Sequence, residues 1–113
     1  MTDRLERVRA IVAGIGEDLV RLRRDLHAHP EVGFDEHRTT AVLVRALREA
    51  GLEPRELEPT GLVVDIGTGP GRIMLRADID ALPLAEETGE TFTSTVPGVS
   101  HACGHDLHSA IGI

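Results

Sequence analysis

Apolar residues recur at alternating steps of three and four along the first part of the chain. The positions that share this spacing are Leu5, Val8, Val12, Ile15, Leu19, Leu22 and Leu26. Such steps keep side chains on one face of a helix, so the pattern predicts a long helix that begins near Thr2 or Asp3. We expect this apolar face to pack on its own domain, and a coiled-coil or partner helix is the alternative.

The first predicted helix ends at residues 27–31, which read HAHPE. A residue that precedes proline is pushed out of the helical region, so the helix is expected to stop at this segment. His27 and His29 beside Glu31 are candidate metal ligands. We favour a helix end at which histidine lies near the C-terminal dipole.

A second helix is predicted from about Asp35 to Ala50, with Gly51 as the residue just beyond its end. The residues expected to face the core are Ala41, Val42, Leu43, Ala46, Leu47 and Ala50. A polar connector is predicted over residues 52–60.

Two apolar runs, residues 62–66 and 73–77, predict strands that are joined by a glycine-rich turn. A phosphate-binding loop is not expected there, because a second strand follows the turn instead of a helix with Lys-Ser/Thr. Asp78 and Asp80 follow the second run on the same side of the chain, where ligands bind in open α/β sheets. Residues 81–100 predict an irregular loop, and a helix is predicted beyond Gly104.

Composition narrows the class of protein. With 113 residues, 41% hydrophobic and 27% charged, the chain has ordinary globular composition. Residues 1–26 hold six arginines against five acids, a balance that favours a solvated helix surface over a nucleic-acid patch. The single cysteine predicts a reducing compartment. No run has membrane length and no leader is recognisable at the start, so we expect a soluble, cytoplasmic protein.

Candidate chemistry is concentrated between His101 and His108, which include three of the six histidines and Cys103. Imidazole and thiolate are favoured ligands of zinc and the later transition metals. The residues alone leave three interpretations open: a metal site, a buried structural cysteine beside surface histidines, and a thiol nucleophile with a histidine base.

Four segments occur in a fixed order: residues 24–31 (RDLHAHPE), 75–83 (LRADIDALP), 87–89 (ETG) and 101–106 (HACGHD). Together they resemble the opening third of the M20 metallopeptidase family, in its aminoacylase and hippurate-hydrolase-like amidohydrolase branch. The resemblance implies an α/β fold with helices packed on an open sheet. Residues 1–113 would then be the N-terminal part of a zinc-peptidase-like catalytic domain.

The resemblance also implies a function. The expected activity is metal-dependent cleavage of the amide bond of N-acyl amino acids or similar small amides, by a metal-activated water. The expected cofactors are two divalent metal ions, chosen among Mn²⁺, Zn²⁺, Co²⁺ and Ni²⁺. The expected partner is a small-molecule substrate, with no nucleic acid and no membrane, and the full-length protein is compatible with a homo-oligomer.

Matched position by position, Cys103 and His105 correspond to two metal ligands of the family motif. Asp80 corresponds to an acid that orients a metal ligand, and it is the candidate catalytic residue. Asp78 stands where other branches of the family have a histidine ligand. Asp106 is a second candidate for a hydrogen bond to the far nitrogen of a ligand histidine.

Two candidate ligands are fewer than the three that a catalytic zinc-type site usually takes from the protein. We therefore expect an N-terminal fragment that is inactive alone and ends within a helix, with the family's catalytic glutamate beyond Ile113. Two alternatives from other classes are a cysteine hydrolase that uses Cys103 with His105 or His101, and a non-catalytic metal-binding or interaction module.

Overall fold

The computed structural model describes residues 2–113. Helix α1 spans Thr2–Ala28, so the first helix begins and ends where the sequence predicts. Its predicted packing is wrong for the N-terminal half: Leu5, Val8 and Val12 are each at least 51% exposed, and only Leu26, at 0%, is fully buried. The helix reaches the core only in its last turns, because only its C-terminal end has other elements beside it.

Helix α2 spans His37–Glu49, within the predicted bounds. The Gly51 N–H donates to the Arg48 carbonyl at 2.9 Å and the Leu52 N–H to the Leu47 carbonyl at 3.0 Å. These two bonds form a Schellman motif, which requires the positive φ of 82° that glycine supplies at position 51. Of the predicted inward residues Leu43 and Leu47 are buried, whereas Ala41 and Ala50 are exposed and Thr39, Thr40 and Val44 are buried instead.

The segment between α1 and α2 ties the two helices together. The Glu31 carboxylate accepts hydrogen bonds from the backbone N–H groups of Arg38 and Thr39, at 3.0 and 2.6 Å. It therefore caps the first turn of α2, where backbone donors have no partner within the helix. Arg38 in turn donates both terminal nitrogens to the Asp25 carboxylate on α1, at 3.1 and 2.8 Å. Glu31 is thus a helix cap and not a metal ligand.

The sheet is smaller than predicted, and only the strand that begins at Leu62 lies within a predicted run. Strand β1 (Arg55–Glu56) pairs antiparallel with β2 (Leu62–Val63), with Arg55 opposite Val63. β1 falls in the segment predicted to be a polar connector. The predicted strand over 73–77 is not formed: Ile73 and Met74 are 99% and 91% exposed, and no strand is assigned there. A strand needs a hydrogen-bonding partner along at least one edge, which the apolar pattern of one segment cannot provide.

Helix α3 spans His105–Gly112, as the sequence predicts, and it packs against α1. The long segment before it is irregular but anchored. An isolated bridge joins Val32 to Ala81, and another joins Leu82 to Ser100. These contacts bring residues 78–86 and 100–106 beside the C-terminal end of α1. In the described residues, no helix is both long and apolar enough to cross a membrane.

Candidate metal-binding site

His105 is the first residue of α3, and its orientation is fixed by Asp80. The His105 Nδ1 lies 2.8 Å from the Asp80 backbone carbonyl oxygen and 2.9 Å from Asp80 Oδ1. A carbonyl oxygen only accepts, so the proton of the ring must be on Nδ1. In a neutral imidazole this leaves the lone pair of Nε2 free to bind a metal.

Two further donor groups surround the free side of His105. Asp78 Oδ2 lies 3.9 Å from His105 Nε2, and the rings of His105 and His108 are 5.1 Å apart. One ligand atom from each of Asp78, His105 and His108 lies within 4.8 Å of the other two. Two imidazoles and a carboxylate fit Zn²⁺, Co²⁺, Ni²⁺ or Mn²⁺, so the donor set suits the cofactors that the sequence predicts.

Asp78 is held in its ionised form by Arg76. Arg76 donates from Nε and a terminal nitrogen to Asp78 Oδ1, at 3.0 and 2.8 Å. This hydrogen bonding lowers the pKa of Asp78 below its ordinary value. Because both bonds go to Oδ1, the other oxygen, Oδ2, is the one that faces His105.

Cys103 and His105, the two metal ligands that the family resemblance implies, differ in exposure. His105 is largely buried, with 13% of its side chain exposed, whereas Cys103 is exposed in the preceding turn. Within residues 2–113, Cys103 does not join the group formed by Asp78, His105 and His108. His101 is buried, and burial lowers the pKa of its imidazole.

A second cluster, which we call the buried network, lies directly behind the first turn of α3. It consists of Arg23, His27, Glu86 and Asp106. The Asp106 carboxylate oxygen Oδ2 accepts from Arg23 Nε at 2.7 Å and from His27 Nδ1 at 2.8 Å. The other ring nitrogen of His27 lies 2.9 Å from Glu86 Oε1. Both bonds of His27 can be donated together only by the imidazolium form.

Both carboxylates of the buried network have lowered pKa values. Burial raises the pKa of Glu86, but hydrogen bonds from Thr88, the Ser94 N–H and His27 outweigh it and lower the pKa to about 2. Burial also raises the pKa of Asp106. The hydrogen bond from His27 and the charge of Arg23 outweigh burial, so the pKa of Asp106 is lowered as well. Both carboxylates of the buried network are therefore ionised at neutral pH.

Phe92 covers the buried network from the loop side. Its ring meets that of His27 edge to face, with centroids 5.3 Å apart. The guanidinium carbons of Arg23 and Arg24 both lie 4.9 Å from the Phe92 ring centroid. Cation–π contact of this kind holds the loop against α1.

Comparison with known proteins identifies a family. The model of "Peptidase family M20/M25/M40" matches residues 74–113 of this chain. The chain is 46% identical over 101 residues to an N-acetyldiaminopimelate deacetylase of Bacillus velezensis, covering 86% of this chain and 27% of that protein. It is similar to the crystal structure of Bacillus subtilis YXEP protein, described as a dinuclear metal binding peptidase from the M20 family. The TM-score is 0.80 at 43% identity, over 87% of this chain and 28% of that one.

The chain belongs to peptidase family M20. The likeness to the Bacillus subtilis structure confirms the predicted fold class, although of the two predicted strands only the one that begins at Leu62 is formed. A further relative, from Rhodococcus jostii, is 59% identical over 96 residues, and its provisional name is glutamate–cysteine ligase 2-3. This chain spans only 12% of that protein, so the name does not carry over. The chain spans less than a third of the length of each of these three proteins.

The M20 motifs meet in space in a way that the sequence reasoning only partly anticipated. His27 lies in the last turn of α1, at the helix end that the sequence favours, and it is also a buried partner of two carboxylates. Glu86, which the sequence motifs do not mark as a site residue, completes the buried network. A signal for His27 was present, because the motifs at 24–31 and 101–106 occur together, but motifs that occur together do not show which side chains are in contact.

Proposed function

We propose that this M20 chain is part of a metal-dependent amidohydrolase that cleaves the amide bond of N-acyl amino acids or similar small amides. The observation that supports it best is His105, whose Nδ1–H is donated to Asp80 so that Nε2 is free for a metal. The names of the relatives agree in class: one is an N-acetyldiaminopimelate deacetylase and another a dinuclear metal binding peptidase.

In this proposal Cys103 and His105 are metal ligands, and Asp80 positions His105. Asp78 and His108 are additional donors close to the same nitrogen. Two divalent ions, chosen among Mn²⁺, Zn²⁺, Co²⁺ and Ni²⁺, would supply an activated water and polarise the scissile carbonyl. A backbone carbonyl that accepts from a ligand histidine fixes the ring tautomer and raises the basicity of the free nitrogen.

The wider setting of the site remains part of the proposal. Residues 1–113 would form the N-terminal part of an M20-type catalytic domain, and a general base and further ligands would come from elsewhere in the full-length protein. The substrate is a small molecule, and neither nucleic acid nor membrane takes part. The exposed Cys103 agrees with a reducing, cytoplasmic location.

Hydrolysis of N-acetyl amino acids in the presence of Mn²⁺ tests the proposal in the full-length protein. We expect turnover that a chelator removes and that His105→Ala abolishes. The matched control is His37→Ala, since the side chain of His37 is 66% exposed and lies outside the site. Turnover that survives both the chelator and His105→Ala would refute the proposal.

The same assay separates the cysteine-hydrolase alternative. A thiol nucleophile would be inactivated by iodoacetamide and indifferent to chelators. The amidohydrolase predicts sensitivity to chelators in every case, and sensitivity to iodoacetamide only where metal does not protect Cys103. Metal binding without any turnover in the full-length protein would instead indicate a non-catalytic binding module.

A further inference from the structure

We propose that the buried network is a positioning device: Asp106, held by Arg23 and His27, fixes the rotation of α3 so that His105 presents Nε2 to the metal. This inference rests on the proposed metal-binding role of His105. It assigns a role to Arg23, His27 and Glu86, which are not among the proposed metal ligands.

The argument begins with the shortness of α3. A helix of eight residues is marginal in water, because isolated helices shorter than about 12–15 residues gain too little to offset nucleation. Its orientation must therefore come from tertiary contacts. Gly104, which precedes α3, has a φ of 81°, so the backbone turns sharply just before the helix. The direction of α3 therefore depends on contacts that its side chains make with other elements.

Asp106 is the strongest of these anchors. Its side chain is 0% exposed, and one oxygen accepts from both Arg23 and His27 of α1. Hydrogen bonds between charged partners in a buried setting are short and directional, and they fix position more tightly than apolar packing does. The partners are 83 and 79 residues away in sequence, so the contact ties the two ends of the chain together.

Asp106 and His105 are consecutive in the first turn of α3, about 100° apart around the helix axis. With Asp106 turned toward α1, His105 is turned toward Asp80, and the bond from Nδ1 to the Asp80 carbonyl can form. If Asp106 is released, α3 is free to rotate and the His105 bond to Asp80 is lost or shared. The ring then no longer has a single tautomer with Nε2 unprotonated.

Glu86 and Phe92 complete the device from the loop. Glu86 holds the far nitrogen of His27 at 2.9 Å, so that the near nitrogen stays aimed at Asp106. Phe92 packs on His27 and on the guanidinium of Arg23. The loop of residues 86–94 therefore supports the two α1 side chains that hold α3.

The test is the tautomer of the neutral His105 ring in the metal-free chain, measured by ¹⁵N NMR of the two ring nitrogens. We expect the parent to carry its proton on Nδ1. In Asp106→Asn we expect the signals of the two ring nitrogens to move toward each other, as in a mixture of tautomers. The readout requires no metal, so it fails or succeeds separately from the proposed function.

Asp25→Asn is the matched control. Asp25 also lies on α1 and also forms a two-bond ion pair, but with Arg38 of α2 instead of α3. The Asp25→Asn substitution should lower the stability of the chain while leaving the His105 tautomer unchanged. Should Asp106→Asn fail to fold, Arg23→Lys and Arg23→Ala replace it, and we expect the lysine variant to retain more of the Nδ1–H form than the alanine variant.

A second readout is the affinity for Mn²⁺, followed by the electron paramagnetic resonance signal of the free ion. Loss of an outer partner of a metal-bound histidine typically costs about 10–100-fold in affinity. We therefore expect roughly a 10-fold loss in Asp106→Asn and no change in Asp25→Asn. A folded Asp106→Asn in which His105 keeps the parental tautomer, or a parent with the proton on Nε2, would overturn the inference.

Discussion

Replacing Glu86 by glutamine tests whether the buried network is charged in the folded state. The side chain of Glu86 is 5% exposed and accepts bonds from His27 and the Ser94 N–H. Its pKa falls from an ordinary value of 4.5 to about 2 on folding. Because the folded-state pKa lies below the unfolded one, ionised Glu86 stabilises the fold above a pH of about 5, and this stabilisation is lost as pH falls toward about 2.

The size of the effect follows from the same shift. Each pKa unit corresponds to about 1.4 kcal/mol, so the whole difference would be about 3 kcal/mol. The loop that carries Glu86 borders water, which screens part of the interaction, and we expect about 1.5 kcal/mol at neutral pH. The glutamine variant should therefore be less stable than the parent at pH 7 by about this amount, and the difference should shrink as pH falls.

Urea unfolding followed by circular dichroism, at several pH values between about 7 and 3, measures this difference. The control is Glu87→Gln, which removes a neighbouring exposed carboxylate from the same loop. We expect its stability to follow that of the parent at every pH. A difference between Glu86→Gln and the parent that stays constant with pH, or grows as pH falls, would refute the charged network.

Three further outcomes are expected. Asp80→Asn should weaken Co²⁺ binding by about 10-fold, because the partner of His105 Nδ1 is perturbed. Equilibrium dialysis measures the affinity for Co²⁺. The control is Asp65→Asn, at an exposed site, which should bind Co²⁺ like the parent. The exposed Cys103 should react with iodoacetamide in the folded protein at a rate that Co²⁺ lowers, followed by mass spectrometry; an equal rate with and without metal would speak against Cys103 as a ligand. Leu26→Ala, at a site 0% exposed, should cost about 2–5 kcal/mol in urea unfolding, whereas Leu5→Ala, at a site 51% exposed, should cost less than about 1 kcal/mol.

The three helices were predictable because their signals are local. The spacing of apolar residues, the proline at position 30 and the glycine at position 51 each act within one or two turns of the place they mark. The burial of α1 was not predictable in the same way. An apolar stripe shows which face would be buried, but the core reaches only its C-terminal end, where Leu26 lies.

The strand predicted over residues 73–77 was wrong for a related reason. A strand satisfies its backbone by bonding to other segments, so an apolar run such as Ile73-Met74-Leu75 predicts a strand only if partners exist. The short strands that do form, at Arg55 and at Leu62, are brought together by the turn between them. The second lies within the predicted run of residues 62–66, whereas Arg55–Glu56 contains no apolar run that would mark a strand in the sequence.

The candidate site was predictable as a set of residues and not as a set of contacts. The motif at residues 101–106 marked His105, and the segment at 75–83 marked Asp80, but their pairing spans 25 residues of sequence. The bond between His27 and Glu86 spans 59. No local pattern encodes such distances, and only the folded chain shows which charged groups meet.

The most direct test of the central claim is a Co²⁺ titration of the chain, followed by visible absorption, with the parent, His105→Ala and His37→Ala compared. If His105 binds a divalent metal through Nε2, the parent and His37→Ala give a saturable cobalt spectrum, and His105→Ala gives none. An added thiolate-to-cobalt band in the near ultraviolet would identify Cys103 as the second ligand. A spectrum in His105→Ala that equals that of the parent would contradict the account.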